Sequence, residues 1–91
     1  MALVRRGQVA GGDRCYVGVG ERTDVHGRVH PLWVDWEDGR RFLVDKVASA
    51  RPWRAPGSGS GGTRFVVQVG DRQTQLFYED PRWFVEQRTQ L

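Results

Sequence analysis

The sequence predicts an all-β domain of about six antiparallel strands. We expect a meander whose sheet is strongly bent or closed into a small SH3-like or OB-like barrel. Three observations carry this prediction: no segment shows a helical period, several short runs alternate apolar with polar residues, and Gly, Pro and Asp separate those runs. The 91 residues suffice for one domain with one modest core.

The first element is an arm without apolar periodicity. Residues 1–13 contain Arg5 and Arg6 followed by a Gly-containing stretch, and we expect them to form a flexible N-terminal arm. Residues 14–91 are expected to form the single β domain. Its first strand covers residues 15–22, CYVGVGER, where glycines alternate with larger residues, as happens where a strand bends at a barrel corner.

The central element is a hairpin within Pro31–Val47, where two alternating runs flank Glu37-Asp38-Gly39. We expect a three-residue turn closed by Gly39 in the left-handed conformation, which glycine adopts without steric cost. This turn matches apolar residues with apolar residues and an acidic residue with a basic one. The predicted pairs are Val34 with Phe42, Leu32 with Val44, Trp33 with Leu43, and Asp35 with Arg41.

Later elements are predicted by the same signals. Residues 49–62 are rich in Pro, Gly and Ser and are expected to form a long connection. Residues 63–69 alternate again, and Gly70-Asp71 fits a two-residue hairpin turn. The last strand is expected at residues 82–87, after the turn signal Asp80-Pro81. The predicted pairs are Phe65 with Leu76, Val67 with Thr74, and Arg64 with Phe77.

Both faces of the predicted sheet carry apolar residues. One face collects Val17, Val19, Leu32, Val34, Phe42, Val44, Phe65, Val67, Val69, Leu76 and Phe84. The opposite face carries Trp33, Leu43, Val66, Phe77, Trp83 and Val85. Because an antiparallel sheet needs only one apolar face, part of the second must be covered. The candidates are the 49–62 connection with Trp53, a second copy of the protein, or a ligand.

Composition narrows the class of protein. The chain carries 14 basic and 11 acidic residues, and every basic residue except Lys46 is Arg. Arg favours contacts with phosphate or carboxylate, although a G+C-rich genome explains the same bias. The single cysteine, Cys15, cannot form an internal disulfide, and the N-terminus lacks the apolar centre of a signal peptide. These features predict a cytoplasmic protein.

The best candidate binding surface combines aromatic and Arg side chains. Bases of single-stranded nucleic acid stack on aromatic rings while Arg neutralises phosphates. Packing is the competing interpretation, because tryptophans in the middle of strands most often belong to a core. The candidate binding residues are Trp33, Arg41, Trp53, Arg54, Arg64, Phe77 and Trp83, with Arg51 close by in sequence.

Other chemistry has little support in the sequence. The segment Gly57–Gly62 matches the spacing G-x-G-x-x-G, but no strand precedes it and no helix follows, so no dinucleotide is expected. His26 and His30 flank a glycine in a turn-like sequence, and no second spaced pair supports a metal. Serines occur only in the connection, away from a general base. We therefore expect no cofactor, no metal and no enzymatic activity.

The segments PLWVDWEDGRRFLVDKV, TRFVVQV and QLFYEDPRWFVE together resemble a family of small bacterial all-β proteins of unknown function. The resemblance covers Cys15–Glu86 and implies the strand order, but it transfers no functional residue. Such families typically have Gly where this chain has Pro81. The leading hypothesis is a non-enzymatic binding module for a protein partner, through homodimerisation or strand addition. The alternative is binding of single-stranded nucleic acid through the aromatic and Arg face.

Overall fold

The computed structural model describes residues 14–55, 57, 59 and 61–86, and these residues form seven strands and no helix. The predicted arm at 1–13 and the end of the last predicted strand at Gln87 lie outside the described residues. The strands are β1 (Arg14–Thr23), β2 (Val29–Asp35), β3 (Arg41–Leu43), β4 (Lys46–Arg54), β5 (Gly61–Val69), β6 (Arg72–Glu79) and β7 (Arg82–Glu86).

All seven strands belong to one antiparallel sheet in the order β3-β2-β1-β7-β6-β5-β4. The sheet is strongly curled into a half-barrel, which confirms the predicted fold class. Although β3 and β4 end the strand order on opposite sides, only Val44 and Asp45 separate them in the chain. The two ends of the sheet therefore meet at this corner. There the Asp45 N–H donates to the carbonyl of Gln68, at 2.8 Å, and the Asp45 Oδ2 accepts from the Gly70 N–H, at 2.7 Å.

Both predicted hairpins form in the predicted register. Gly39 has a φ of 92° and donates its N–H to the carbonyl of Trp36, which closes the three-residue turn between β2 and β3. Gly70 has a φ of 61° and leads the two-residue turn between β5 and β6. Local turn chemistry was sufficient to predict these pairings because each register follows from a few adjacent residues.

Strand β4 occupies much of the stretch predicted to be a connection. Instead of a break over residues 49–62, β4 continues to Arg54 and β5 begins at Gly61. The strand lacks an alternating pattern because it lies at the sheet edge, where seven of its nine residues are exposed. A bulge between Val47 and Ser49 also shifts its register against β5. Strand β4 therefore lacks the apolar alternation from which the other strands were predicted.

The concave side of the curled sheet, here called the inner face, holds the hydrophobic core. Val34 of β2 and Val67 of β5 are 1% and 0% exposed and belong to the same cluster. Three strands separate β2 from β5 in the sheet, so the curl itself brings these residues together. The buried members of the cluster are Val34, Phe65, Val67, Val69, Leu76, Trp83 and Val85.

The prediction of which β7 side chains point toward the core is wrong. We expected Phe84 on the core face and Trp83 with Val85 opposite, but Trp83 and Val85 are in the core. Pairing across the two-residue turn sets Tyr78 opposite Trp83 and Phe77 opposite Phe84. Because a shift of one residue exchanges the two faces of a strand, this register moves Phe84 to the convex side, here called the outer face.

Two glycines of β1 provide a test of how the outer face is packed. A Cβ at Gly20 would lie 2.1 Å from the Trp33 indole, whereas a Cβ at Gly18 would meet Asp35 at 3.6 Å. We expect Gly20→Ala to lower the free energy of unfolding by about 1–3 kcal/mol through overpacking. We expect Gly18→Ala to be neutral or to stabilise by up to about 1 kcal/mol. Urea unfolding measures both, and equal effects would contradict the close contact at Gly20.

A second test concerns Trp83, which is 3% exposed and donates its Nε1–H to Glu21 Oε1 at 2.6 Å. Trp83→Ala is expected to cost about 3–5 kcal/mol of unfolding free energy, because it leaves a cavity in the core. Trp33→Ala is the matched control and is expected to cost less, because Trp33 is only half-buried. The same urea titrations measure both changes. Similar small losses for the two variants would show that Trp83 is not a core residue.

Candidate binding surfaces

The outer face carries a row of side chains across five neighbouring strands. Strand pairing places each member directly opposite the next, and alternation along the strands points all of them to the same side. The row thus begins with two cations and continues with three aromatic rings. In order from β4 to β1 it consists of Arg51, Arg64, Phe77, Phe84 and Tyr16.

The aromatic part of this row is covered by Trp53. Phe77 and Phe84 stack in parallel, with centroids 5.0 Å apart and planes 4° apart. The Trp53 ring is 5.2 Å from Phe77 and 5.5 Å from Phe84, inclined by 64° and 67°. Trp53 stands on β4, so it reaches these rings by passing over β5, where Gly62 lies opposite it and has no side chain. The indole therefore lies across the edges of both rings, which are 2% exposed.

Arg14 completes the stack on the side of β1. Its guanidinium lies 4.5 Å from the Phe84 centroid and 5.4 Å from that of Trp53. It also donates to Glu79 Oε1 at 2.8 Å and to the Tyr16 hydroxyl at 3.2 Å. The hydrogen bond with Tyr16 first, and that with Glu79 next, raise the pKa of Arg14. Arg14 is thus a fixed cation that belongs to the packing of this face.

Arg51 and Arg64 differ from Arg14 and Arg41 of the outer face, which each pair with a carboxylate. They occupy directly opposed positions on β4 and β5. The described part of the chain contains four ion pairs, and neither residue takes part in any of them. Like charges directly opposite each other on a sheet are destabilising. This uncompensated pair, beside the half-buried Trp53, is complementary to an anion.

Trp33 and Arg41 form a separate cluster on β2 and β3. The Trp33 indole rests on Gly20, and the Arg41 guanidinium lies 4.5 Å from the Trp33 ring centroid. Arg41 also donates its Nε–H to Asp35 Oδ1 at 2.8 Å, and this hydrogen bond lowers the pKa of Asp35. Glycine on one side and guanidinium on the other leave Trp33 less accessible to a stacking ligand.

The structure thus divides the residues predicted from the sequence to form one binding surface. Trp53, Phe77 and Arg64 lie together on the outer face, although Phe77 is buried beneath Trp53. Trp83 is on the inner face, in the core, and so cannot join a surface platform. Arg54 alternates to the side opposite Trp53 and donates to the carbonyl of Gly59 at 3.2 Å.

The aromatic rings of the outer face together with Arg14, here called the outer cluster, include three residues that the sequence analysis did not predict. Arg14, Tyr16 and Phe84 come together because β1 pairs with β7. The Arg14–Glu79 ion pair joins positions 65 residues apart in the chain. No local pattern near either end of the chain reports that pairing, so only the strand order could have placed these residues together.

An open groove lies at the other end of the sheet, between β3 and the β5–β6 turn. Its volume is about 450 Å³, and its apolar lining includes Leu43, which is 63% exposed. Charged residues of both signs surround the apolar part. The full lining consists of Arg41, Phe42, Leu43, Asp45, Val69, Gly70, Asp71 and Arg72.

The two edge strands that end the sheet differ in chemistry. Strand β4 carries Lys46, Arg51, Pro52 and Arg54 together with its bulge, which are the features that protect sheet edges from pairing. Strand β3 has no proline and no bulge, and it exposes Leu43. Of the features that protect an edge from pairing, β3 has two: it is only three residues long, and it carries one Arg. Strand β3 is therefore the less protected edge.

The residues considered for metal binding form a turn. Asp24 Oδ1 accepts from the His26 and Arg28 backbone N–H groups, both at 2.9 Å, and Asp24 Oδ2 lies 2.9 Å from the His30 ring. The contact with His30 is the main cause that lowers the pKa of Asp24 to about 2. Among the described residues, no group of three or more His, Cys, Asp or Glu side chains could hold a metal ion. In the same part of the chain, no helix is long and apolar enough to cross a membrane.

Comparison with known proteins adds no functional assignment to this geometry. No protein-family model matches the chain, and neither a curated protein nor a solved structure is significantly similar to it.

Proposed function

We propose that this protein is a non-enzymatic binding module that accepts an extended segment of another protein at the free edge of β3. The observation that carries the proposal is the orientation of the backbone at Arg41 and Leu43. Their N–H and C=O groups face away from β2, on the side where no strand of the described sheet pairs with them, and both residues line the open groove. An added strand would satisfy these groups.

The hydrogen bonds of the β2–β3 hairpin establish this orientation. The Trp36 N–H donates to the carbonyl of Arg40, and the Val44 N–H donates to the carbonyl of Leu32. In an antiparallel pair, residues at hydrogen-bonded positions alternate with residues whose backbone groups face away from the partner. The backbone groups of even-numbered residues from Arg40 to Val44 therefore face β2, and those of Arg41 and Leu43 face away from it, toward the free edge.

The groove supplies apolar area in addition to backbone hydrogen bonds. Leu43 is 63% exposed, while Phe42 and Val69 line the same groove and are already partly or fully buried. An extended segment lying along β3 would remove the Leu43 side chain from water, which favours association roughly in proportion to the apolar area covered. Main-chain bonds would provide affinity, and the apolar contact would provide selectivity for an aliphatic residue.

Charge disfavours a homodimer formed through β4 or through the outer face. Two β4 strands paired antiparallel about Ala50 would set Lys46 of each copy opposite Arg54 of the other. Two outer faces in contact would bring Arg51 and Arg64 of both copies together, again without an acidic partner. Both arrangements place like charges across an interface, which costs free energy. Charge therefore disfavours a second copy at β4 or on the outer face, the two surfaces other than the β3 edge.

The acidic residues at the predicted turns support a non-enzymatic role. Asp38 accepts from the Arg40 N–H at 3.0 Å and from its Nε–H at 2.7 Å. Glu79 pairs with Arg14, and Asp80 accepts from the Tyr78 hydroxyl at 2.9 Å. These carboxylates maintain turns and strand contacts, whereas general acid–base catalysis requires carboxylates that face a substrate.

The test uses Leu43→Pro, which removes the N–H that faces the free edge without removing a β2–β3 hydrogen bond. Random decapeptides displayed on phage are selected on the wild-type protein, and their affinities are measured by fluorescence anisotropy. We expect Leu43→Pro to weaken binding at least tenfold. Ala50→Pro is the matched control on β4. Ala50 lies two residues before Pro52, so its backbone nitrogen points the same way, to the unpaired side of this edge strand.

Amide hydrogen exchange provides an independent readout of the same register. In the free protein we expect fast exchange at Arg41 and Leu43 and slow exchange at Phe42 and Val44. A selected peptide is expected to slow exchange at Arg41 and Leu43. The proposal is wrong if peptides protect other strands, if Leu43→Pro binds them as wild type does, or if no peptide is selected.

A further inference from the structure

We propose that Trp53, Arg51 and Arg64 form a second binding site, for single-stranded nucleic acid. The exposed side of the Trp53 indole would receive one base, and the two guanidiniums would bind the adjoining phosphates. This site lies on the outer face of β4 and β5, away from the groove beside β3. A test of this site is therefore independent of a test of the proposed protein-binding role.

The first support is that Trp53 is held in place by the protein. The described ring contacts of Trp53 are with Phe77 and Phe84, and its cation contact is with Arg14. These residues stand on strands β6, β7 and β1, beyond β5, so the indole lies over the sheet with one side against them. Trp53 is half-buried and its neighbours on β4 are exposed, so part of the indole remains accessible to solvent. A ring fixed in this way loses little conformational freedom when a base stacks on it.

The second support is the uncompensated charge next to this ring. Arg51 lies two residues before Trp53 on the same side of β4, about 7 Å away along the strand. Arg64 lies opposite Arg51 on β5, about 5 Å away across the sheet. Two arginines whose backbones lie at this separation can each bind one phosphate oxygen or share one phosphate. Binding an anion would also remove the repulsion between the two cations.

The combination of ring and cations distinguishes nucleic acid from an acidic peptide. Carboxylates would satisfy Arg51 and Arg64 but would make no use of the open side of the indole. A nucleotide strand presents a flat base next to each phosphate, so it can occupy both features at once. The strand must be single, because the bases of a duplex are stacked on each other and their faces are not accessible.

The experiment is a fluorescence-anisotropy titration of a labelled twelve-nucleotide oligo(dT) with the intact protein at 50 and 200 mM salt. Neutralising two phosphates of a single strand gives a slope of about −1.4 in log affinity against log salt, or about sevenfold weaker binding at the higher salt. We expect the double variant Arg51→Gln/Arg64→Gln to lose most of this affinity and most of this slope.

Matched variants separate the site from general electrostatic attraction. Arg22→Gln/Arg28→Gln removes the same charge from exposed positions of β1 and the β1–β2 turn, and it is expected to change affinity less than twofold. Trp53→Ala is expected to weaken binding at least fivefold with an unchanged salt slope, because it removes stacking but not the cations. Near-ultraviolet circular dichroism checks that each variant is folded. If Trp53→Ala does not fold, Trp53→Leu is used in its place, because Leu removes the indole but still covers Phe77 with an apolar side chain.

Three results would overturn this inference. The first is an equal loss of affinity in the two Arg double variants, which would mean that only net charge matters. The second is binding of the duplex form as tight as that of the single strand, which would exclude stacking. The third is displacement of the oligonucleotide by poly-Glu at equal charge concentration with no effect of the Trp53 substitution, which would indicate an acidic protein ligand.

Discussion

The pairing of β1 with β7 is the interaction on which the rest of the structure depends. It joins the hairpin of β2 and β3 to the meander of β4 to β7, so that one curled sheet results. On the inner face it sets Val17 opposite Trp83, within the core. On the outer face it sets Tyr16 opposite Phe84 and brings Arg14 onto the Phe84 ring. Without this pairing neither the core nor the outer aromatic cluster could assemble.

No helix of the described residues covers the sheet, and its apolar residues are protected in two different ways. Curling encloses the inner face, because residues on β2 and β5 approach each other as the sheet bends. The outer face is convex and cannot be enclosed, so single large side chains lie flat over it. Trp53 passes over Gly62, and Trp33 rests on Gly20. Gly20 provides the space that the Trp33 indole requires. At Gly62 a Cβ would instead meet the backbone carbonyl of Tyr78, so the close approach of β6 requires that glycine.

The features that sequence reasoning predicted well are those determined by a few neighbouring residues. The pairs Trp33 with Leu43 and Phe65 with Leu76 follow from the turns at Gly39 and Gly70, and both are observed. The facing of β7 was predicted wrongly because it depends on the register across Asp80-Pro81, which the turn signal alone does not determine. Strand β4 was missed because an exposed edge needs no apolar alternation. The outer cluster was only partly predicted, since its members lie on strands that meet at long range.

Charge on the outer face indicates which of its residues serve the fold and which remain for a partner. Arg14 and Arg41 lie over aromatic rings and pair with Glu79 and Asp35, so their desolvation is compensated within the protein. Arg51 and Arg64 have no such compensation, and their direct opposition lowers the stability of the sheet. Packing does not require a cation at either position, because the exposed edge strand and its neighbour would accept neutral side chains. An anionic ligand would make this pair favourable, which is the physical argument for the proposed site beside the Trp53 indole.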